Sequence, residues 1–459
     1  MNFLDLVLKM RTSLPVLNSR KCKCSIFATM KKRKIAFNTF GCKLNFAETS
    51  AIARKFQEDL FETVEFKETA DIYVIHTCTV TAQAERKCKA AIRQAMKRNP
   101  DASVAVIGCY SQLKPDELRK IKGVDIVLGN SEKYSLYDVI TRQGQEDKEH
   151  DDSGLKTSRH FEPGYSVNDR TRSFFKVQDG CDYFCTFCAI PFARGRSRSA
   201  SIAETLEVAG KISATGIREI VLTGVNIGDF GRHHGESFLG LLKGLSIETG
   251  IERIRISSVE PELLNNDIIK LVADTPKLMP HFHIPLQSGS NRILALMKRK
   301  YQREVFAQRV SFINELIPDA FIAADVITGF PGETDEDFED TYQFIASLPV
   351  SALHVFTYSV RPGTKAAEME NQLSETEKQI RSKKLHHLSD RKKMAFYLQN
   401  AGTIHEVLWE SDIDQGYMFG FTGNYIRCKK IHDADEVNTI ETVRLTELDF
   451  DGVFKISAA

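Results

Sequence analysis

Three cysteines, Cys181, Cys185 and Cys188, stand at CxxxCxxC spacing in the run "GCDYFCTFCAIPFARGRSRS", followed at once by Arg194, Arg196 and Arg198. Three thiolates are one short of a closed tetrahedral site, so zinc would need a fourth cysteine or histidine close by. The next candidates, His233 and His234, lie well downstream in a polar stretch. A cubane of four irons held by three thiolates fits better, because it keeps one iron open to a ligand that is not protein. The arginines are either a solvated charge run or guanidinium groups on the rim of the same cavity, where they suit carboxylate or phosphate.

A second set of three cysteines is spread along the chain. Cys42 in "FNTFGCKLN", Cys78 in "VIHTCTVT" and Cys109 in "VIGCYSQ" each follow a short apolar run. From Lys34 to about Tyr137 such runs alternate with helical patterns such as "AQAERKCKAAIRQAMKR", which predicts a parallel, doubly wound sheet. All three cysteines then fall on its carboxyl edge, where ligand sites form. The alternative is that each is a small buried hydrophobe; their places in turns beside Gly or Thr argue for a shared metal site. Cys88, within a helical pattern between charged neighbours, reads as an unliganded thiol, and Cys22 and Cys24 as residues without a structural role.

The CxxxCxxC loop follows the strand "SFFKVQDG", and five further strand signals, "EIVLTGVN", "RIRISSVEP", "HFHIPLQSGS", "FIAADVITGFPGET" and "LHVFTYSVRPGT", are each trailed by a helical pattern. Six βα units predict a barrel-like array with its site at the carboxyl ends of the strands. Thr334 with Asp337 and Ser374 with Glu377 predict capping boxes. The basic helix beginning at Ser374 is either a soluble face or an RNA track. From Ala401 the texture changes to short alternating strands with Gly turns, as in a small β-barrel. Alternation puts Tyr425, Arg427 and Lys429 on one face, as an RNA surface or simply as barrel exterior, and turns Cys428 to the core.

The 459 residues exceed one domain, and 42% hydrophobic with 27% charged content is that of a globular chain. No apolar run is long enough to span a bilayer. A net charge of +1 confines any nucleic-acid surface to a local patch. Ten cysteines without a secretory signal argue for reduced thiols, hence a cytoplasmic protein and metal rather than disulfides. The expected division is a disordered leader over 1–33, with translation starting at Met1 or Met30, a three-cysteine domain over 34–145, a polar linker over 146–171, a barrel domain over 172–400 and a tail barrel over 401–459.

The CxxxCxxC loop, with Phe187 just before the last cysteine and βα units behind it, resembles the radical S-adenosylmethionine superfamily. That resemblance implies an α/β fold with an open partial (β/α)6 barrel, and a cluster whose open iron is chelated by the amine and carboxylate of S-adenosylmethionine. It makes Phe187, Thr223, Gly224, Asn226, Ser258, Gln287 and Gly329 candidates for holding the cofactor, Gly329 and Gly332 by close approach to adenine. A strand-end Ser or Gln, as at Ser258 and Gln287, is more often a turn former.

"GCKLN", "TCTVTAQAERK", "GCYSQ", "CDYFCTFCAIPFARGRSRS", "HIPLQSGS", "DVITGFPGET" and "YSVRPGT" together, with "GNYIR" in a TRAM-like tail, resemble the methylthiotransferase family over nearly the whole chain from Lys34. "TCTVT" resembles its branch acting on N6-threonylcarbamoyladenosine in tRNA. The implied activity is methylthiolation of C2 of that nucleoside at position 37, beside the anticodon. The implied cofactors are S-adenosylmethionine and two [4Fe-4S] clusters, one on Cys181, Cys185 and Cys188 and an auxiliary one on Cys42, Cys78 and Cys109. The implied partners are the tRNA anticodon stem-loop, an electron donor and a sulfur donor. Arg194, Arg196, Arg198, Tyr425, Arg427 and Lys429 become RNA-contacting candidates, with Arg194 and Arg198 paired to the threonyl carboxylate. Branches acting on N6-isopentenyladenosine or on a ribosomal protein share these motifs. A non-catalytic RNA-binding metal protein would explain the tail but not six cysteines at strand ends.

Overall fold

Apolar, β-branched segments build the first sheet: β1 (Arg33–Thr39), β2 (Phe61–Val64), β3 (Ile72–Thr77), β4 (Ser103–Gly108) and β5 (Ile126–Leu128). In the computed structural model, which describes residues 32–459 other than 57, 59, 80–81, 143–159 and 168–169, all pair in parallel in the order β2-β1-β3-β4-β5. This is the doubly wound arrangement expected, with the strand order reversing between β1 and β3. The helices are α1 (Lys43–Ala53), α2 (Ala82–Arg98), α3 (Cys109–Leu113), α4 (Pro115–Arg119) and α5 (Leu136–Arg142). Cys88 is fully buried against the sheet, as part of the apolar packing under α2. The expected leader, with Cys22 and Cys24, lies almost wholly outside the described residues. The expected linker is described only in part, and there it is not plain connection: β6 (Gly164–Tyr165) adds an antiparallel edge to the next sheet.

Six parallel strands follow: β7 (Ser173–Lys176), then, after the short ribbon of β8 (Gln178–Asp179) and β9 (Arg198–Ser199), β10 (Glu219–Thr223), β11 (Arg253–Ile256), β12 (His281–Gln287), β13 (Phe321–Thr328) and β14 (Ala352–Thr357). They form two sheets, β11-β10-β7-β6 and β12-β13-β14. Parallel bridges Ile254 to Leu278 and Ser258 to His283 join the two, giving the open (β/α)6 array. One apolar core lies between these strands and the helices outside them, α7 (Ile202–Ser213), α8 (Phe238–Glu248), α9 (Asn266–Asp274), α11 (Arg303–Leu316) and α12 (Asp335–Ser347); α6 (Ile190–Arg194) and α10 (Asn291–Leu296) are short turns near the site. Both expected capping boxes are present, Thr334 with Asp337 on α12 and Ser374 with Glu377 on α13 (Glu375–Gln399).

The tail closes into a barrel in the order β15-β16-β17-β19-β18, from β15 (Ile404–Asp414), β16 (Tyr417–Thr422), β17 (Arg427–Ile431), β18 (Ile440–Leu448) and β19 (Phe454–Ala458). Cys428 is fully buried there with Trp409, Met418 and Phe454. The tail seats against the amino-terminal ends of the six strands, where buried Arg253 and Arg255 donate to the carbonyls of Glu406, Phe421, Thr422 and Gly423. No helix among the described residues is long and apolar enough to cross a membrane.

Candidate metal centres

Because β1, β3 and β4 are neighbours, the turns leaving their carboxyl ends are too. Cys42 is the N-cap of α1, Cys78 follows β3 and Cys109 opens α3. Asn45 donates through its amide to the carbonyls of Phe40 and Thr77 at 2.7 and 3.1 Å, tying the first turn to the second. The Thr77 hydroxyl donates to the Ile107 carbonyl at 2.7 Å and accepts from the Tyr110 amide at 3.2 Å, tying the second to the third. Two glycines permit the approach. A Cβ on Gly41 (φ +108°) would stand 2.7 Å from Cys78 Cβ, and one on Gly108 (φ +102°) would strike the His76 ring at 2.6 Å. Cys78 and Cys109 are buried and Cys42 is exposed, so the triad opens on one side.

The second triad sits in a loop held by backbone bonds. Cys181 N–H donates to the Gly195 carbonyl at 3.1 Å, and Thr186 N–H to the Met297 carbonyl at 3.1 Å. Burial pushes the thiols of Cys181 and Cys188 up to about 12 and raises that of Cys185, so all three are neutral thiols until a metal displaces their protons. Arg299, which carries no motif signal, places its guanidinium 3.1 Å from Cys185 Sγ and pairs with Glu260. It is nearly buried, a cation suited to a thiolate-bound cluster.

Between the triads lies a buried ionic network that sequence patterns did not reveal. Glu48 on α1 is fully buried and is met by Lys133 at 2.6 Å, Lys176 at 2.8 Å and Arg194 at 3.1 Å. Burial alone would raise its carboxyl, but Arg194, Lys133 and Lys176 hold it well below the usual carboxylate range. Arg194 also pairs with Asp179 at 3.0 Å and donates to Asn45 Oδ1 at 2.7 Å. The expectation that Arg194 stands on the cavity rim is therefore wrong. It is 2% exposed, and both its terminal nitrogens are committed to protein oxygens. Arg198 is likewise engaged, donating to Asp179 and to the carbonyls of His160, Arg194 and Arg196, which rules out a free fork for a carboxylate. Of the three, Arg196 faces solvent, its guanidinium 5.5 Å from the ring of Phe184. Phe184 and the adjoining Phe192 are both exposed, in edge contact at 6.0 Å. Asn130 completes the join, donating to Cys109 Sγ at 3.4 Å and to the Ala193 carbonyl at 2.8 Å.

The cofactor candidates divide. Asn226 is 2% exposed, and neither its side-chain oxygen nor its nitrogen has a hydrogen-bond partner, as expected of a group awaiting a polar ligand. Its backbone N–H donates to Gln178 Oε1 at 2.8 Å, and Gln178 Nε2 donates to the Gly180 carbonyl beside Cys181. Gly224 makes room for Gln178, whose carbonyl lies 2.9 Å from a Cβ built there, and Thr223 is a buried strand end. Ser258 bridges to β12, and Gln287 ends it at φ +65°. Tyr301 fixes that end by donating to the Leu286 carbonyl at 3.0 Å, and Arg299 Nε donates in turn to the Tyr301 hydroxyl. Phe187 packs edge-on against Phe330. At Gly329 (φ +73°) the missing side chain makes room for Lys378 of α13.

Arg427 and Lys429 share the outer face of β17, with Cys428 turned to the core, but Tyr425 does not join them as expected. Tyr425 lies before β17 at φ +66° and packs into the seam with the six-stranded array, 4.6 Å from the His281 ring and 4.9 Å from the Arg255 guanidinium. Lys429 pairs with Asp449 and Asp451 at 2.8 and 2.7 Å. Arg427 alone of the three is exposed.

Residues 34–129 match the uncharacterized protein family UPF0004, and residues 175–345 match the radical SAM superfamily. The chain is 39% identical over 422 residues to the threonylcarbamoyladenosine tRNA methylthiotransferase MtaB of Bacillus subtilis, covering 90% of this chain and 93% of that one. It is 41% identical over 379 residues to the Aquifex aeolicus protein of the same name, with 80% and 91% covered. It is 33% identical over 378 residues to a tRNA-2-methylthio-N(6)-dimethylallyladenosine synthase of Alkaliphilus oremlandii, with 78% of each covered. Among solved structures, the radical S-adenosylmethionine methyltransferase TsrM of Kitasatospora setae superposes with a TM-score of 0.55 at 14% identity, covering 73% of this chain and 75% of that one, a likeness of fold. With two cysteine triads side by side and relatives this similar along nearly its whole length, the chain belongs to the radical S-adenosylmethionine methylthiotransferase family.

Proposed function

We propose that this protein methylthiolates C2 of N6-threonylcarbamoyladenosine at position 37 of tRNA, using S-adenosylmethionine and two [4Fe-4S] clusters in a cytoplasmic setting. The observation that carries the reading is the pair of cysteine triads on separate sheets, joined by Glu48, Arg194 and Asn130. Cys181, Cys185 and Cys188 would hold the cluster that binds S-adenosylmethionine, and Cys42, Cys78 and Cys109 the auxiliary one. The donor sets fit: each offers three thiols with a side left open, and Asn226 supplies an unpartnered amide near the first. When bound, these groups supply reductive cleavage of the cofactor and the sulfur to be transferred, chemistry that an adenine C2–H requires because it has neither an acidic proton nor a leaving group. The protein's own residues hold and orient. An electron donor and a sulfur donor complete the reaction, and the working units are 34–145, 172–400 and 401–459. In a purified reaction with anticodon stem-loops, the threonylcarbamoyl substrate should gain the methylthio group and the isopentenyl substrate should not; the opposite preference would assign the chain to the second branch.

A base beside the anticodon lies in a single-stranded loop and can be splayed out. Phe184 and Phe192, with Arg196 against the first ring, offer a stacking platform beside the S-adenosylmethionine site, and Arg427 a phosphate contact. Replacing both phenylalanines by Ala should weaken anticodon stem-loop binding by about 1–3 kcal/mol per stacked base with unchanged iron content. Arg427→Ala should lower the salt dependence of tRNA binding by about one phosphate contact. Fluorescence anisotropy across a salt series reads both, and unaltered affinity in the double variant would remove the platform.

A further inference from the structure

Three neighbouring strands that contribute no cysteine carry a constellation of their own. His283 on β12, Asp325 on β13 and His354 on β14 project from one face of neighbouring strands, with Asp325 directly opposite His354 in register. Their ligand atoms converge: His283 Nε2 lies 2.6 Å from Asp325 Oδ1, His354 Nδ1 lies 3.1 Å from the same oxygen, and the two ring nitrogens are 3.2 Å apart. All lie within 4.8 Å of one another, a grouping that could hold a metal ion. Tetrahedral metal–nitrogen and metal–oxygen bonds of about 2.0–2.2 Å put donor atoms roughly 3.4 Å apart, so small side-chain rotations suffice to admit an ion. We propose that His283, Asp325 and His354 form a divalent metal site distinct from both clusters.

Two imidazoles and one carboxylate are borderline-to-hard donors that suit zinc, manganese or iron(II) rather than a thiolate-held cubane. Carriage on paired strands makes the site rigid before the ion arrives. Three protein ligands leave positions for water or another oxygen ligand, and half-exposed His354 marks the open side. The site lies within electrostatic reach of Lys43, next to Cys42, and of Glu260, which pairs with Arg299 beside Cys185.

Anaerobically reconstituted holoenzyme, incubated with excess zinc sulfate and desalted, is expected to keep about one zinc per chain by mass spectrometry of the elements, beyond its cluster iron. Asp325→Asn and His354→Ala should lose that zinc while keeping wild-type iron and iron–sulfur absorption. Truncating half-exposed His354 opens no buried cavity, so a folding failure of the Asp325 variant leaves the test intact. In manganese chloride, the wild type should quench the six-line signal of the free ion by about one equivalent, and His354→Ala should not. Absence of zinc from the wild type, or equal retention by both variants through the thiols, would overturn the site.

Discussion

Holoenzyme in which Cys181, Cys185 and Cys188 are all replaced by Ala is expected to retain about half of the reconstituted iron and to make no 5′-deoxyadenosine from S-adenosylmethionine. Replacing Cys42, Cys78 and Cys109 should also halve the iron, yet leave cofactor cleavage in place while methylthio transfer disappears. The expectation follows from the separate foundations of the two triads. One rests on the carboxyl ends of β1, β3 and β4 and the other on the loop after β7, with different backbone bonds fixing each. Iron analysis and quantification of 5′-deoxyadenosine after anaerobic reconstitution check both results. Full iron content in either triple variant would show that its cysteines are not ligands.

Glu48→Gln should be the most damaging single substitution away from the cysteines. The new side chain would fill the same space but leave Lys133, Lys176 and Arg194 buried around a neutral amide, and breaking a buried ionic cluster in this way costs about 3–5 kcal/mol. The Glu48 carboxyl is held well below its ordinary value of 4.5, so the stability it contributes is complete above that value and is lost as pH falls through the depressed folded-state value. The deficit of the variant should therefore be largest at neutral pH and shrink below about pH 4.5. Urea unfolding at several pH values reads this. A deficit that stays constant down to acid pH would mean that Glu48 contributes packing rather than charge.

Much of the fold could be read from the chain because local and global signals agreed. The β-branched runs, the glycines before Cys42 and Cys109, and the capping residues of α12 and α13 each specify local structure on their own. β2 escaped notice because "FETV" is too short and polar to stand out. The role of Glu48 was hidden for a different reason. α1 lies between its own sheet and the β6–β7 edge, so Leu44, Asn45, Ala47, Glu48, Thr49 and Ser50 are all buried and no polar stripe identifies a solvent face. The arginines after Cys188 misled because charge in a sequence does not say whether its partner is a ligand or another element; Arg194 found Glu48, 146 positions earlier. Alternation failed at Tyr425 for a geometric reason, since the strand begins two residues later and the residue itself turns at positive φ. Arg299 and the His283, Asp325 and His354 constellation depend on packing between strands that no spacing along the chain encodes.

The most direct test of the central claim is nucleoside mass spectrometry of total tRNA from cells lacking this gene. Loss of 2-methylthio-N6-threonylcarbamoyladenosine, accumulation of its unthiolated precursor, and restoration by the wild-type gene but not by either cysteine-triad variant are the predicted results. Unchanged levels of that nucleoside, with loss of the 2-methylthio-isopentenyl one instead, would contradict the account.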